Sequence, residues 1–221
     1  MQRTFSTVLF DLDGTLLDTA PDMAWALNQM RIQIGNEALD FQLIRPHVSH
    51  GSFALSRIGC GAVEGSDEFE RFRLGLLQIY SDNIARETQL FDGIAEILGE
   101  LESRSIPWGI VTNKPSCLTT PLLQQLELSN RAAVVISGDT VPEKKPHPAQ
   151  LLLAAERLNT LPGECVYVGD AERDIAAGNA AGMLTVAALY GYLSADDTPA
   201  TWGADNMVRT PTELNEWLFP T

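Results

Sequence analysis

Two carboxylates stand two residues apart in Phe10-Asp11-Leu12-Asp13-Gly14-Thr15, directly after the apolar run Thr7-Val8-Leu9-Phe10. In extended backbone, residues i and i+2 face the same way, so Asp11 and Asp13 converge on one site. Carboxylates that close repel one another unless a cation lies between them or one is protonated. Gly14 permits a sharp departure of the chain and Thr15 adds a hydroxyl. Taken alone, the segment also fits a solvated acidic turn. An EF-hand does not fit, because Gly14 comes too early and the later ligands and terminal Glu are missing.

Three further segments follow apolar runs. Thr112-Asn113-Lys114 offers a hydroxyl, an amide and neighbouring backbone N–H groups, a small anion cradle or else an ordinary helix cap. In Lys144-Lys145-Pro146-His147-Pro148, Pro146 biases Lys145 towards extended backbone, which suits a fixed cation or equally a solvated basic turn. In Gly169-Asp170-Ala171-Glu172-Arg173-Asp174, Asp170 ends a strand and Asp174 lies one helical turn on, where acidic groups also suit the helix dipole.

The elements that must position these groups are legible as short β-branched runs: 7–10, 108–111, 133–136, 165–168 and 185–189. Their near-continuous apolar character predicts central strands covered on both faces. Helical periodicity lies between them, at about 93–103, 117–126, 148–158 and 173–181. Alternating strands and helices predict an α/β fold, a doubly wound parallel sheet whose site lies beyond the carboxyl ends of the strands. From about Thr19 to Ile84 the periodicity is helical only, with Ala24, Leu27, Met30 and Ile34 on one face. A second such face is made by Phe69, Phe72, Leu76, Leu77 and Tyr80. This block predicts a helical subdomain over residues 19–87, inserted into a core of residues 1–18 and 88–221. The hinges fall near 16–22 and 85–92, and 210–221 reads as a closing amphipathic segment.

Each of the four chemical segments follows its own strand, so all four gather at one sheet edge. Their joint inventory of carboxylates, a hydroxyl, an amide and a lysine suits a hard divalent cation such as Mg²⁺. No GxxxxGK[ST] loop and no GxGxxG after a strand supports nucleotide binding. The net charge of −14 disfavours nucleic acid and anionic membranes as partners. An anionic substrate would therefore need positive charge supplied locally. The 3 cysteines form no CxxC pair and point to a reducing, cytoplasmic setting. No apolar run reaches the ~18 residues that a spanning helix needs.

The ordered set DxDGT, TN, KP and GDxxxD resembles the haloacid dehalogenase superfamily, in its phosphatase branch with a helical cap after the first strand. The resemblance covers almost the whole chain. It implies an enzyme, a phosphomonoester hydrolase in which Asp11 is the nucleophile and Asp13 the general acid and base. It further implies that Asp11, the Asp13 carbonyl and Asp170 hold Mg²⁺. Thr112, Asn113 and Lys145 would bind the phosphoryl oxygens, with Asp174 and Thr15 in support. Dehalogenating relatives carry an aromatic residue where this chain has Asp13, so the resemblance implies phosphate chemistry. A phosphosugar mutase and a non-catalytic phosphometabolite sensor share the motifs and are the alternatives.

In the cap, Arg45-Pro46-His47-Val48-Ser49-His50-Gly51 resembles the loop that phosphoglycolate phosphatases lower over their site. Ser49, His50 and Gly51 would meet the leaving group, and Arg45 would pair with a substrate carboxylate. Tyr190-Gly191-Tyr192-Leu193 and Trp202-Gly203-Ala204-Asp205 resemble N-acetylmuramic acid 6-phosphate phosphatases instead, although Phe53 stands where those relatives often carry Arg. The expected partner is a small phosphorylated metabolite, 2-phosphoglycolate and N-acetylmuramic acid 6-phosphate leading, met by a monomer or homodimer.

Overall fold

The computed structural model describes residues 5–220, so residues 1–4 and Thr221, at the two ends of the expected core, lie outside the described residues. The chain opens with β1 (Thr7–Phe10) and β2 (Leu17–Asp18). Then come α1 (Ala20–Gln33), α2 (Phe41–Ile44), a 3-10 turn over Arg45–His50, α3 (Gly51–Cys60) and α4 (Asp67–Asp82). After β3 (Gln89–Leu90) the chain alternates through α5 (Ile94–Ser103), β4 (Trp108–Val111), α6 (Ser116–Gln125) and β5 (Val134–Ile136). It continues with α7 (Ala149–Arg157), β6 (Cys165–Gly169), α8 (Glu172–Ala181) and β7 (Leu184–Ala188), and closes with β8 (Asn206–Val208) and α9 (Pro211–Leu218).

Six strands form one parallel sheet in the order β5-β4-β1-β6-β7-β8. The sheet is buried on both sides because successive residues feed opposite layers. Val8 and Phe10 of β1 join one apolar cluster with α5, α6 and α9, while Leu9 joins the other with α7 and α8. On α5 the stripe Ile94, Ile97, Leu98 and Leu101 is fully buried. Each such side chain stabilises the fold by about 1.5–3 kcal/mol.

Register delivers the chemistry to one level. Phe10 pairs with Ile110 on one side and Val168 on the other. Asp11, Val111 and Gly169 therefore end their strands side by side, with Thr112 and Asp170 just beyond.

The inserted stretch holds helices, as its periodicity predicts, and its apolar faces are continuous with the core: Leu27, Leu55, Phe72 and Tyr80 share a cluster with Leu12, Leu16 and Leu17. Two features differ from the sequence reading. Ile34 does not extend the buried face of α1. It is 44% exposed, because the helix ends at Gln33 and Gly35 turns the chain at φ +82°. Short strands β2, β3 and β8 also carry too few residues to show a period, and pairing alone reveals them. Antiparallel β2 and β3 join where the chain leaves for the helices and returns. Buried Asp22 staples that junction by accepting from Glu87 N, Thr88 N and Thr88 Oγ1.

Candidate active site

Lys145 is the hub of the strand-end cluster. Its Nζ lies 2.8 Å from Asp11 Oδ1, 2.8 Å from Asp174 Oδ1, 2.8 Å from Tyr167 OH and 3.0 Å from Val111 O. An ammonium has three protons for these four oxygens. Its hydrogen bonds run to Val111 O and Tyr167 OH, and Tyr167 OH in turn meets Asp174 Oδ1; Asp11 Oδ1 is left without a directed hydrogen bond, although it keeps the short ion-pair distance. The backbone of Lys145 is clamped as well. Asn113 donates Nδ2 to Lys145 O and accepts from Lys145 N, and Gln150 Oε1 also accepts from Lys145 N. The Asn113 side chain, expected to contact phosphate, is thus committed to holding the lysine loop. Lys144, its neighbour, is exposed.

Three carboxylates crowd this hub: Asp11, Asp170 and Asp174 are buried, with oxygens within 4.8 Å of one another. Burial pushes Asp11 up to about 6, against the pull of Lys145. Burial, then repulsion from Asp174 and Asp11, pushes Asp170 up to about 7. Asp174 stays below the usual carboxylate range, since Lys145 and Arg173 outweigh its burial. Three carboxylates facing these two cations leave one negative charge in excess. An orphaned carboxylate oxygen within an all-oxygen cluster of excess negative charge fits a hard divalent cation. Asp13, by contrast, lies outside this carboxylate cluster. Its Oδ1 accepts from Thr19 Oγ1 at 2.7 Å and from Lys114 Nζ at 2.9 Å. With both bonds on Oδ1, Oδ2 carries no bond from the described residues.

The surroundings complete a cradle. Thr112 is buried; its Oγ1 accepts from Lys114 N, so the hydroxyl proton is available to a ligand. Among the described residues the N–H groups of Leu12 and Asp13 meet no acceptor. Thr15 reaches Asp170 Oδ1 only at 3.4 Å, while Asp170 Oδ2 accepts from Tyr192 N at 2.9 Å and Ser49 Oγ at 2.8 Å. Gly14 sits at φ +87°, and a Cβ there would lie 2.1 Å from Asp170 Oδ2. Gly14→Ala combines left-handed strain with that clash, so a loss of about 1–3 kcal/mol or more is expected in urea unfolding. An unchanged midpoint would show that Asp170 is free to move aside.

The inserted helices close directly over the cluster. Ser49 bonds Asp170 and, through its carbonyl, Arg173 Nη2 at 2.7 Å. Tyr80 OH meets Lys114 Nζ at 2.9 Å, which links α4 to Asp13. Arg45 is spent on the core: it donates to Gly191 O and Tyr190 O and lies 5.0 Å above the Tyr192 ring, instead of facing a substrate carboxylate. His50 and Gly51 line a cavity of about 450 Å³ together with Asp11, Asp13 and Thr112. His50 also borders a second cavity of about 270 Å³ beside Asp170. Burial, then the charge of Arg173, lowers its pKa.

Sequence reasoning missed Lys114, Tyr80, Tyr167, Gln150 and Arg173. Lys114 and Arg173 stood inside flagged segments, but a loop has no period to say which way a side chain turns. Tyr192 was noted only as part of a resemblance; its OH accepts from Thr19 N and Ala20 N and bonds Asp18 Oδ1, closing the hinge.

With strand order and site in view, the family is plain: the profile of haloacid dehalogenase-like hydrolases matches residues 8–188, and the chain belongs to that family. It is 46% identical to a phosphoglycolate phosphatase of Xanthomonas campestris pv. campestris over 209 residues, covering 95% of this chain and 94% of the relative. It is 43% identical to an N-acetylmuramic acid 6-phosphate phosphatase of Pseudomonas putida, again over 95% and 94% of the two chains. Among solved structures, a predicted phosphoglycolate phosphatase from Haemophilus somnus superposes with a TM-score of 0.84 at 26% identity, over 97% of this chain and 98% of that one. No described helix is long and apolar enough to cross a membrane.

Proposed function

We propose that the protein is a Mg²⁺-dependent phosphomonoester hydrolase working through an aspartyl-phosphate. The observation that carries this reading is Asp11, buried at a strand end beside Lys145 with one carboxylate oxygen unsatisfied and Asp13 two residues on. An Asp11 oxygen forms a bond to phosphorus while the bond from phosphorus to the leaving oxygen breaks. Asp13 gives its proton to that oxygen, then takes one from the water that attacks the aspartyl-phosphate, releasing inorganic phosphate and free Asp11. Lys114 and Thr19 hold the Asp13 rotamer for both transfers. Lys145, the Thr112 hydroxyl and the Leu12 and Asp13 N–H groups bind the phosphoryl oxygens, a fixed array of donors of the kind that dominates phosphoryl transfer. Asp11, the Asp13 carbonyl and Asp170 would hold Mg²⁺, which when bound screens these carboxylates from an anionic substrate.

A cavity of about 450 Å³ lies within the ~300–1,000 Å³ usual for drug-sized ligands. That volume favours an ester larger than a two-carbon acid. Of the compounds named for the relatives, N-acetylmuramic acid 6-phosphate suits it better than 2-phosphoglycolate.

Phosphate release from both compounds and from p-nitrophenyl phosphate, with and without chelator, tests the reading. Release with Mg²⁺ and its loss on chelation are expected; chelator-insensitive turnover would refute it, and sugar phosphate isomerisation without release would indicate a mutase. Thermal melts add a pH test. The raised values of Asp11 and Asp170, about 6 and about 7, mean that the metal-free folded protein holds protons there that its unfolded chain has lost. Its stability from these groups therefore falls as pH rises between about 4 and 7. Mg²⁺ must displace those protons, so its stabilising shift should grow from pH 5 to pH 8.

A further inference from the structure

We infer that Arg73 and Phe53 form a subsite for a carboxylate carried by the substrate away from its phosphoryl group. The inference rests on the phosphatase reading above and names the feature of the substrate that the inserted helices select. Both residues line the same cavity as Asp11 and Asp13, Phe53 from α3 and Arg73 from α4. The Arg73 guanidinium carbon lies 4.6 Å above the Phe53 ring, and its side chain is only 19% exposed. A cation so far withdrawn from water, in a cavity that Met23, Val48 and Leu77 also line, calls for an anion.

Glu70 is a partial answer. Its Oε2 accepts from Arg73 Nε at 2.9 Å and Nη2 at 2.7 Å. Of the five N–H donors of the guanidinium, those two bonds use two and leave three, enough for a bidentate carboxylate. Glu70 and the ring together hold the guanidinium plane in place. The other withdrawn cations of the cavity serve the phosphoryl end: Lys114 meets Asp13 and Tyr80, and Arg173 donates to the Ser49 carbonyl and feels the charges of Asp174, Asp11 and Asp170. Phe53 is 49% exposed. It offers an apolar face beside the charge, which matches a short acid whose carboxylate is attached through an alkyl carbon. A sugar phosphate with a lactyl ether has that chemistry.

The test compares kcat/KM for N-acetylmuramic acid 6-phosphate with that for N-acetylglucosamine 6-phosphate, the same sugar ester without the lactyl carboxylate. Wild type should prefer the acid. In Arg73→Gln the ratio of the two should fall roughly 10- to 100-fold, the worth of a hydrogen-bonded charge pair, with the loss carried by KM. Arg73→Lys keeps the charge without the planar fork and should recover part of the ratio. Glu70→Gln loosens the guanidinium and should lower the ratio by a smaller factor. If Arg73 only forms a helix surface pair with Glu70, both esters will change by the same factor or neither will change, and the subsite is overturned while the phosphatase reading stands. Absence of phosphate release by wild type from these esters and from p-nitrophenyl phosphate, with Mg²⁺ present, overturns both.

Discussion

Asp11→Asn is expected to lower phosphate release by roughly 10⁴- to 10⁶-fold, the scale seen when a covalent nucleophile is removed, while leaving the fold at least as stable as wild type at pH 8 in chelator. The two halves have one cause. Asp11 is 3% exposed, and burial holds its carboxyl at about 6 even with Lys145 beside it. Above that pH the folded protein bears the cost of a desolvated charge that the unfolded chain does not. A neutral amide of the same shape removes the cost and the nucleophile together. A carboxyl raised to about 6 loses stability relative to its neutral amide as pH rises from about 4 through that value, and the difference is constant above it. Melts of the two proteins should therefore lie close together at about pH 4 and separate by about pH 7, with Asp11→Asn the more stable. An Asp11→Asn protein that unfolds well below wild type at pH 8 would show that the ion pair with Lys145 outweighs desolvation. Residual activity near wild type would remove Asp11 from the mechanism.

Lys145→Ala is expected to be the most destabilising single change at the site, by about 3–5 kcal/mol, because it strands buried charge. Asp174 and Asp11 both lie 2.8 Å from Nζ, and Asp174 is wholly buried with its pKa held down by Lys145 and Arg173 against burial. For a chain of this size such a loss corresponds to a drop of roughly 10 °C in Tm. The depressed Asp174 contributes stability above its unfolded value, lost as pH falls through the folded one, so removal of Lys145 should hurt most at neutral pH and least in acid. Lys144→Ala, one residue away and exposed, should stay within about 0.5 kcal/mol. Urea unfolding at pH 5 and pH 7.5 separates these outcomes; equal effects of the two lysines would refute the buried hub.

Much of this molecule could be read along the chain. Runs such as Thr7–Phe10 and Trp108–Val111 are apolar at every position because both faces of a parallel sheet are covered, so strand and burial share one signal. The strand β8, of three residues, and the pair β2 and β3, of two each, have no such signal. They exist through partners distant in sequence. The same limit applied to Arg45, whose charge suggested a substrate contact but whose donors serve two carbonyls of the 190–191 loop.

By itself the sequence determined the kinds of groups at the site and their order, since residue type and a strand end are local facts. It thereby specified the carboxylates at 11, 13, 170 and 174 and Lys145, held next to Pro146. Only the tertiary structure decided their charge states and company. What Lys145 pairs with, which carboxylate oxygen lacks a proton donor, and which cap residues share the cavity with Asp11 all depend on register and packing between remote segments. Phe10 meets both Ile110 and Val168, and that pairing turns separate acidic and basic turns into one site.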